Sequence, residues 1–411
     1  MSLAIMYRLA GIAFLSFLVC ADAAETVKIA LNFPLSGPFA NVGDLFLKHA
    51  QLAVEEINSS GGVLSGQPIE LVPFDNKNSP QEALLALQRA TDMGIPFMVQ
   101  GGGSHIAVPL SVAVARHNAR NPDTRMLYLN HSGDLDLSNE KCSFWTFLFD
   151  SNAEMNMQVL TTQLARQSRI QRVYLINQDY VFGRQVRMLA KQMLKRKRPD
   201  VQIVGDDLHP FGKVKDFAPY VSKIRASAAD AVITGNWGND LALLVKAAGE
   251  SGLNAEFYTF YGGGPGNASA MGASAIGRVK ALYRWHPNIA NNGAEEFANE
   301  YKKRFRLDYY GLPTRTMMGM LAKAIDRATS ADPLAVARVL EGMRYGSDTG
   351  EVWMRPDDHQ LAQALYVFSL VRIDGAEVKY DRENTGIGTR TDVRVEPMET
   401  LLPPNCHMQH F

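Results

Sequence analysis

Val27-Lys28-Ile29-Ala30-Leu31-Asn32-Phe33 is a short apolar run that predicts a first β-strand. It precedes the loop Pro34-Leu35-Ser36-Gly37-Pro38 and a helical pattern over residues 42–58, which ends at Ser59-Ser60-Gly61-Gly62. Outward from this unit, short β-rich runs keep alternating with longer helical patterns. Such alternation predicts an α/β fold in which helices cover both faces of a doubly wound parallel sheet.

The alternation forms two similar blocks. The first ends with a predicted strand at residues 125–130, and the pattern restarts after residues 144–149 and continues to a strand at 257–260. Because a chain of 411 residues exceeds what one hydrophobic core usually organises, we predict two lobes of the same plan. Three later helical patterns have no strands between them, so the chain must return to an existing lobe: 294–305, 314–329 and 333–340.

The N-terminus predicts export. Residues 1–8 carry one positive charge, residues 9–19 are apolar, and Ala21-Asp22-Ala23 has the small residues of a cleavage site. The apolar run is shorter than the about 20 residues that span a bilayer. We therefore predict a signal peptide over residues 1–23 and a mature chain from Ala24. Lipid attachment at Cys20 is the alternative, but bulky Val19 precedes it.

Charge and cysteine content restrict the partners. The 42 basic and 42 acidic residues cancel, so no overall field favours nucleic acid or anionic lipid, and we expect a small ligand. After signal cleavage, Cys142 and Cys406 remain in a compartment that permits oxidation. They form either a disulfide that fastens the C-terminal tail or two buried free thiols.

Several segments resemble the branched-chain amino-acid-binding proteins of ABC importers. The resemblance begins with Val-Lys-Ile-Ala and Pro34-Leu35-Ser36-Gly37-Pro38-Phe39-Ala40, and it continues through nearly the whole mature chain. The other matching segments are Ala53-Val54-Glu55-Glu56-Ile57-Asn58, Gly61-Gly62-Val63, Phe74-Asp75-Asn76, Pro80-Gln81-Glu82-Ala83, Lys215-Asp216-Phe217, Ala229-Asp230-Ala231-Val232 and Lys246-Ala247-Ala248-Gly249-Glu250-Ser251-Gly252-Leu253.

This resemblance implies a type I periplasmic binding protein, a two-lobed clamp whose lobes are joined by a three-stranded hinge. The crossings fall near Phe149, Arg284 and Met354. Lobe 1 would comprise residues 24–149 and 285–354, and lobe 2 residues 150–284 and 355–411. The family's role implies a periplasmic protein that delivers a small molecule, an amino acid or another carboxylic acid, to a membrane permease. A ligand-sensing receptor of the same fold is the alternative, although such chains continue into a membrane helix or signalling domain.

Ligands of open α/β sheets bind at the carboxyl ends of the strands, so the loops there hold the candidate site. By resemblance, Ser104 holds the ligand carboxylate, at a helix start whose free N–H groups and dipole suit an anion. Asn130 and Ser132 supply the next contact. As alternatives, Ser104 is an ordinary helix cap and Asn130 a satisfied loop residue.

The second lobe contributes Asp150, Phe182 and Trp237 by the same resemblance. Phe182 stands where the family often has tyrosine, so it offers a ring without a hydroxyl. Trp237 lies between Gly235 and Gly238, poorly placed for a core, and we predict it as the main ligand contact. A structural tryptophan that caps the sheet is the alternative.

Tyr261 is the largest departure from the family, whose amino-acid binders use an acidic residue there for the ligand ammonium group. An ammonium buried without that partner would cost several kcal/mol. The ligand is therefore predicted to be an aromatic or aliphatic acid without an α-amino group. If the alignment is shifted, Asp179 or Asp240 would replace the missing carboxylate.

Other function classes lack their motifs. The sequence has no His-Glu-x-x-His, Cys-x-x-Cys or Gly-x-Ser-x-Gly pattern, and its glycine triplets at Gly101 and Gly262 lack P-loop and dinucleotide spacing. The histidines are scattered. We therefore expect no catalysis, metal or cofactor.

Overall fold

The computed structural model describes residues 25–311 and 313–411. The predicted signal peptide, with Cys20, lies outside this part of the chain. Within the described residues, three β-sheets are present, and no helix is long and apolar enough to cross a membrane.

Lobe 1 is built on sheet 1, a five-stranded parallel sheet of order β2-β1-β3-β4-β5. The inner strands are almost wholly buried because helices cover both faces, whereas the edge strand β2 is partly exposed. Its elements are β1 Val27–Phe33, α1 Ala40–Ser59, β2 Ile69–Asp75, α2 Pro80–Asp92, β3 Phe97–Gly101, α3 Ser104–Arg120, β4 Leu127–His131 and β5 Thr146–Leu148.

Lobe 2 repeats the plan on sheet 2, where β7, β6, β8, β9 and β10 run parallel in that order. The elements in chain order are α4 Ala153–Ala165, β6 Arg172–Gln178, α5 Val181–Lys197, β7 Gln202–His209, α6 Ala218–Ala226, β8 Ala231–Thr234, α7 Asn239–Glu250, β9 Glu256–Thr259, α8 Asn267–Met271 and β10 Val279–Tyr283.

The chain then returns to lobe 1, as the helices without strand partners predicted. Their buried residues, including Met317 and Leu321, share one core with sheet 1. The returning elements are α9 Glu295–Phe305, α10 Thr314–Ala328, α11 Pro333–Leu340, and the antiparallel strands of sheet 3, β11 Arg344–Ser347, β12 Gly350–Met354 and β13 Leu361–Ala362. The last elements extend sheet 2 with antiparallel strands: β14 Leu365–Arg372, β15 Asp381–Arg382 and β16 Ile387–Val395, followed by α12 Pro397–Thr400.

The three crossings between the lobes lie side by side. The side-chain amide of Gln360 donates to the Asp150 carbonyl at 2.7 Å, and that of Gln363 donates to the Phe149 carbonyl at 2.9 Å. The third crossing comes later than the expected Met354, because β13 first pairs with β12 and stays with lobe 1. The chain enters sheet 2 only at β14.

The C-terminal tail differs from the expectation that lobe 2 extends to residue 411. After β16 and α12, the tail leaves lobe 2 and lies on lobe 1, where Cys406 forms a disulfide with Cys142. The Phe411 ring packs 5.2 Å from Phe144, and Arg338 donates to the Phe411 carbonyl at 2.9 Å. The disulfide and the contacts of Phe411 place the end of the tail, from residue 405 onward, on lobe 1, whereas Leu402 still packs against the core of lobe 2. The tail is thus a fourth link between the lobes.

Candidate ligand-binding site

A cavity of about 220 Å³ lies between the two lobes. Its walls come from the loops at the carboxyl ends of the parallel strands, where open α/β sheets bind ligands. The volume is below the roughly 300–1,000 Å³ of sites for drug-sized molecules, so the cavity fits a smaller ligand. Six of the seven predicted ligand-binding residues line it: Ser104, Ser132, Asp150, Phe182, Trp237 and Tyr261.

Ser104 is buried in the lobe 1 wall and begins helix α3. The helix starts two residues earlier than the expected residue 106, with Gly103 as its cap, so Ser104 is not the N-cap. The first backbone N–H groups of a helix lack helical acceptors, and the positive end of the helix dipole lies there. This wall can therefore accommodate an anionic group.

The carboxyl group of Asp134 influences the charge at that wall of the cavity. Its carboxyl group lies beside the Ser104 hydroxyl, and one oxygen accepts the Asp136 backbone N–H at 2.9 Å. The other oxygen is buried without a partner in the described part of the chain. Burial, and then the nearby Asp136 charge, raises the pKa of Asp134 to about 6. An anion at Ser104 would therefore meet less repulsion in mildly acidic solution.

Asn130 is the predicted residue that does not line the cavity. Its side chain is fully buried inside lobe 1, where the amide nitrogen contacts Gln100 and Tyr128. Its oxygen accepts the backbone N–H and the hydroxyl of Ser132, at 2.8 and 3.0 Å. Asn130 thus shapes the loop after β4 and holds Ser132, because its polar atoms are used within the lobe.

Asp150 lines the cavity as half of a buried ion pair with Arg284. The two residues lie on the first and second crossings. The Arg284 guanidinium also lies 4.3 Å from the centre of the Tyr283 ring. Burial lowers the pKa of Arg284, but Asp150 and Tyr283 together outweigh it, so the pKa is raised. The Asp150 charge is therefore already compensated within the protein.

Trp237 lies where the two lobes meet. Its indole N–H donates to the Tyr180 hydroxyl at 2.7 Å, within lobe 2. Its ring lies 5.1 Å from that of Phe39 of lobe 1, which also packs 5.4 Å from Phe211 of lobe 2. Phe39 and Trp237 also line the cavity, so Trp237 belongs both to the cavity wall and to the contact between the lobes.

Phe182 and Tyr261 form the lobe 2 wall, with ring centres 6.0 Å apart. Gly133 of lobe 1 faces them closely: a Cβ there would lie 3.2 Å from the Phe182 ring and 3.3 Å from the Tyr261 hydroxyl. Burial, followed by the nearby Asp150 carboxylate, raises the pKa of Tyr261 well above its usual value. Tyr261 therefore presents a neutral hydroxyl.

The two alternative acidic residues differ in position. Asp240 lines the cavity, but one carboxylate oxygen accepts the Gln178 side-chain amide and the Gly212 N–H, both at 2.8 Å. Asp179 is exposed and pairs with Arg184 at 2.8 Å, away from the cavity. Only Asp240 is placed to contact a ligand.

Sequence reasoning missed several cavity residues. His131 ends β4 and Tyr180 lies just after β6, at the carboxyl ends of strands where ligands were expected, but nothing in the sequence separated these two residues from their neighbours. Tyr310 follows α9 and reaches the cavity only because the returning helices bring it there. Aromatic side chains supply much of the wall: Phe39, Phe46, Tyr180, Phe182, Trp237, Phe260, Tyr261, Tyr283 and Tyr310. Within the described residues, no His, Cys, Asp and Glu side chains cluster as a metal site.

Two α/β lobes that enclose a small cavity at their strand ends define a two-lobed ligand-binding clamp. The model of the periplasmic binding protein family matches residues 26–376. A Leu/Ile/Val-binding protein homologue from Brucella melitensis is 31% identical over 390 residues, which cover 92% of each chain. The chain therefore belongs to the periplasmic binding protein family, which confirms the resemblance and the type I fold predicted from the sequence.

Two other relatives support this assignment. A leucine-, isoleucine-, valine-, threonine- and alanine-binding protein from Pseudomonas aeruginosa is 25% identical, over 84% of this chain and 89% of that protein. The crystal structure of a protein of the same name from Brucella ovis, in its closed conformation, superposes with a TM-score of 0.84 at 30% identity. It covers 94% of this chain and 100% of that one. The family is a class of solute-binding proteins.

Proposed function

We propose that this protein is the periplasmic solute-binding component of an ABC importer and carries a small carboxylate-bearing ligand. The cavity between the lobes at the strand ends, with the start of α3 on one wall and aromatic rings on the others, is the observation that supports this proposal. Ligand contacts to both lobes would favour the closed clamp, because binding shifts a conformational equilibrium only through differential affinity.

In this proposal the ligand carboxylate lies at Ser104 and the first turn of α3. Backbone N–H groups and the helix dipole stabilise an anion at such a position. Ser132 borders the same wall, and Asn130 orients it. Trp237, Phe182 and Tyr261 contact the apolar body of the ligand.

We further propose that the ligand lacks an α-amino group. Tyr261 offers a neutral hydroxyl where an ammonium group would need a carboxylate. The nearby Asp150 is already paired with Arg284, so an ammonium would have to compete for it. An aromatic or aliphatic carboxylic acid matches these groups.

An amino acid is the second candidate. The relatives from Brucella and Pseudomonas are named for branched-chain amino acids, and the Asp240 carboxylate lines this cavity. In that case Asp240 or Asp150 would contact the ammonium group.

Matched ligands separate the two candidates. Thermal-shift and calorimetric titrations compare leucine with 4-methylpentanoate, and phenylalanine with 3-phenylpropanoate, alongside benzoate. Each pair differs only in the α-amino group, and a true ligand stabilises the folded protein by mass action. We expect the acids without amine to bind. Binding of leucine but not of 4-methylpentanoate would establish the amino-acid candidate instead.

The transport role has separate tests. Mass spectrometry of the exported protein is expected to find a mature N-terminus at Ala24, and deletion of the cognate permease is expected to abolish uptake of the ligand. The purified protein is expected to leave the ligand chemically unchanged. Uptake that persists without this protein, together with a ligand-dependent signalling response, would favour the receptor alternative.

A further inference from the structure

His131, the last residue of β4, places its ring across the neighbouring strand. A Cβ on Gly101 of β3 would lie 2.7 Å from the imidazole Cε1 and Nε2, so only glycine permits this approach. The ring meets Phe46 edge-on, with centres 4.2 Å apart, and lies 5.7 Å from Phe33. The backbone is thus adapted to hold the imidazole at the lobe 1 wall.

The imidazole lines the cavity, although only 3% of His131 is exposed. Neither ring nitrogen has a hydrogen-bond partner among the residues that the structure describes. A neutral imidazole carries one donor and one acceptor, and buried polar groups in folded proteins are normally paired. Because His131 also borders the cavity, a ligand group there can supply the partner that the fold does not provide.

The charge state of His131 restricts that partner. Burial, together with the nearby Arg284 and His49, holds the pKa of His131 well below its usual value, so the ring is neutral. The Phe46 ring packs against the imidazole, and Val42 and Leu45 are further apolar residues of the cavity wall. A hydroxyl group, which both donates and accepts without charge, complements a neutral imidazole in such surroundings.

We propose that His131 binds the ligand and selects a hydroxyl group on the ligand's apolar body, at the lobe 1 end of the cavity. This inference rests on the proposed function, because it places the hydroxyl on a carboxylate-bearing ligand. The resulting substrate class is a small hydroxylated acid.

His49 provides a matched control. It is buried in the same lobe, and both of its ring nitrogens also lack partners among the described residues. Its ring lies between Tyr301 and Tyr309, at 4.6 and 4.7 Å, and does not line the cavity. A His49→Phe variant therefore removes an unpaired buried imidazole without touching the ligand.

The test measures dissociation constants by calorimetry for three pairs that differ by one hydroxyl: benzoate and 4-hydroxybenzoate, 3-phenylpropanoate and 3-(4-hydroxyphenyl)propanoate, and 2-aminobutyrate and threonine. In the wild type, the hydroxylated member of at least one pair should bind about tenfold more tightly. His131→Phe should abolish this preference, whereas His131→Gln, which keeps a donor and an acceptor, and His49→Phe should retain it. His131→Leu repeats the test if phenylalanine does not fit over Gly101.

The outcomes distinguish the two proposals. Binding without any hydroxyl preference in the wild type overturns the inference and leaves the carboxylate-binding function intact. A preference that survives in a folded His131→Phe or His131→Leu variant also overturns the role of His131. If no member of any pair binds, both proposals fail.

Discussion

At the scale of single residues, Trp237 could be predicted from the sequence as a residue of the candidate site, whereas Asp134 could not. Trp237 could be predicted because a large aromatic residue between glycines at a strand end has few structural uses. Asp134 gave no such signal, since its raised pKa arises from burial and from Asp136, which only the folded chain provides. His131 and Tyr180 were missed for the same reason.

Replacing Trp237 with alanine should weaken ligand binding by about 2 kcal/mol, because a buried aromatic contact is typical of binding hot spots. Trp237→Phe keeps a ring but loses the hydrogen bond to Tyr180, so its loss of affinity should be smaller. Titration calorimetry measures both. Trp353→Ala, remote from the cavity, is the control, and unchanged affinity in Trp237→Ala would make Trp237 structural.

Asp134→Asn should change how stability depends on pH. The folded-state pKa of about 6 lies above the usual aspartate value of 3.8. The stabilisation of the folded state by the protonated carboxyl is therefore complete below pH 3.8 and is lost as pH rises through 6. The asparagine side chain cannot ionise. As pH rises from 4 to 8, the free energy of unfolding of the variant should therefore increase by roughly 2–3 kcal/mol relative to that of the wild type.

Urea unfolding at several pH values measures this difference, and asparagine keeps the oxygen that accepts the Asp136 N–H. The buried histidines are common to both proteins, so their effects cancel. The exposed Asp123→Asn is the control. A stability difference that does not vary with pH would contradict the prediction.

At the scale of elements, strongly patterned segments could be predicted and weakly patterned ones could not. The observed bounds of β1 and α11 match the predicted ones. An apolar run defines β1, and Asp332 followed by proline defines the start of α11. β16 was missed, since its exposed polar residues on a strand at the side of sheet 2 lack an apolar signature. Only its pairing with β14 makes it a strand.

One covalent bond, the disulfide between Cys142 and Cys406, attaches the C-terminal tail to lobe 1. Replacing Cys142 and Cys406 with serine should destabilise the protein by about 2–4 kcal/mol, because the disulfide restricts the unfolded chain. Thermal unfolding of the double variant should match that of the reduced wild type. Equal stability of the oxidised wild type and the variant would show that the noncovalent contacts of Phe411 suffice.

At the scale of the whole molecule, the sequence predicted two lobes and repeated crossings, but not how the lobes touch. The contacts of Phe39 with Phe211 and Trp237 join segments remote in sequence, so no local pattern reveals them. The same holds for the Asp150 and Arg284 pair between two crossings. Six of the predicted ligand-binding residues nevertheless line the cavity between the lobes, because the family resemblance indicates which loops meet.

Phe39→Ala should favour the open clamp. The two aromatic contacts of Phe39 together contribute about 1–3 kcal/mol, so ligand affinity should fall about 5- to 150-fold, mainly through faster dissociation. Small-angle X-ray scattering should show a larger radius of gyration for the ligand-free variant, and ligand should restore compactness. The exposed Val112→Ala serves as the control, and an unaltered radius of gyration would contradict the role of Phe39 in closure.

The disulfide also orders events during maturation. It joins residues 264 positions apart, and Cys406 follows every strand of both large sheets in the chain. Oxidation to the native pair therefore comes after the segments of both lobes have entered the oxidising compartment. The predicted mature chain has no other cysteine, so no wrong intramolecular disulfide can form in its place. The native bond therefore forms without disulfide isomerisation, after the strands of both lobes have been exported.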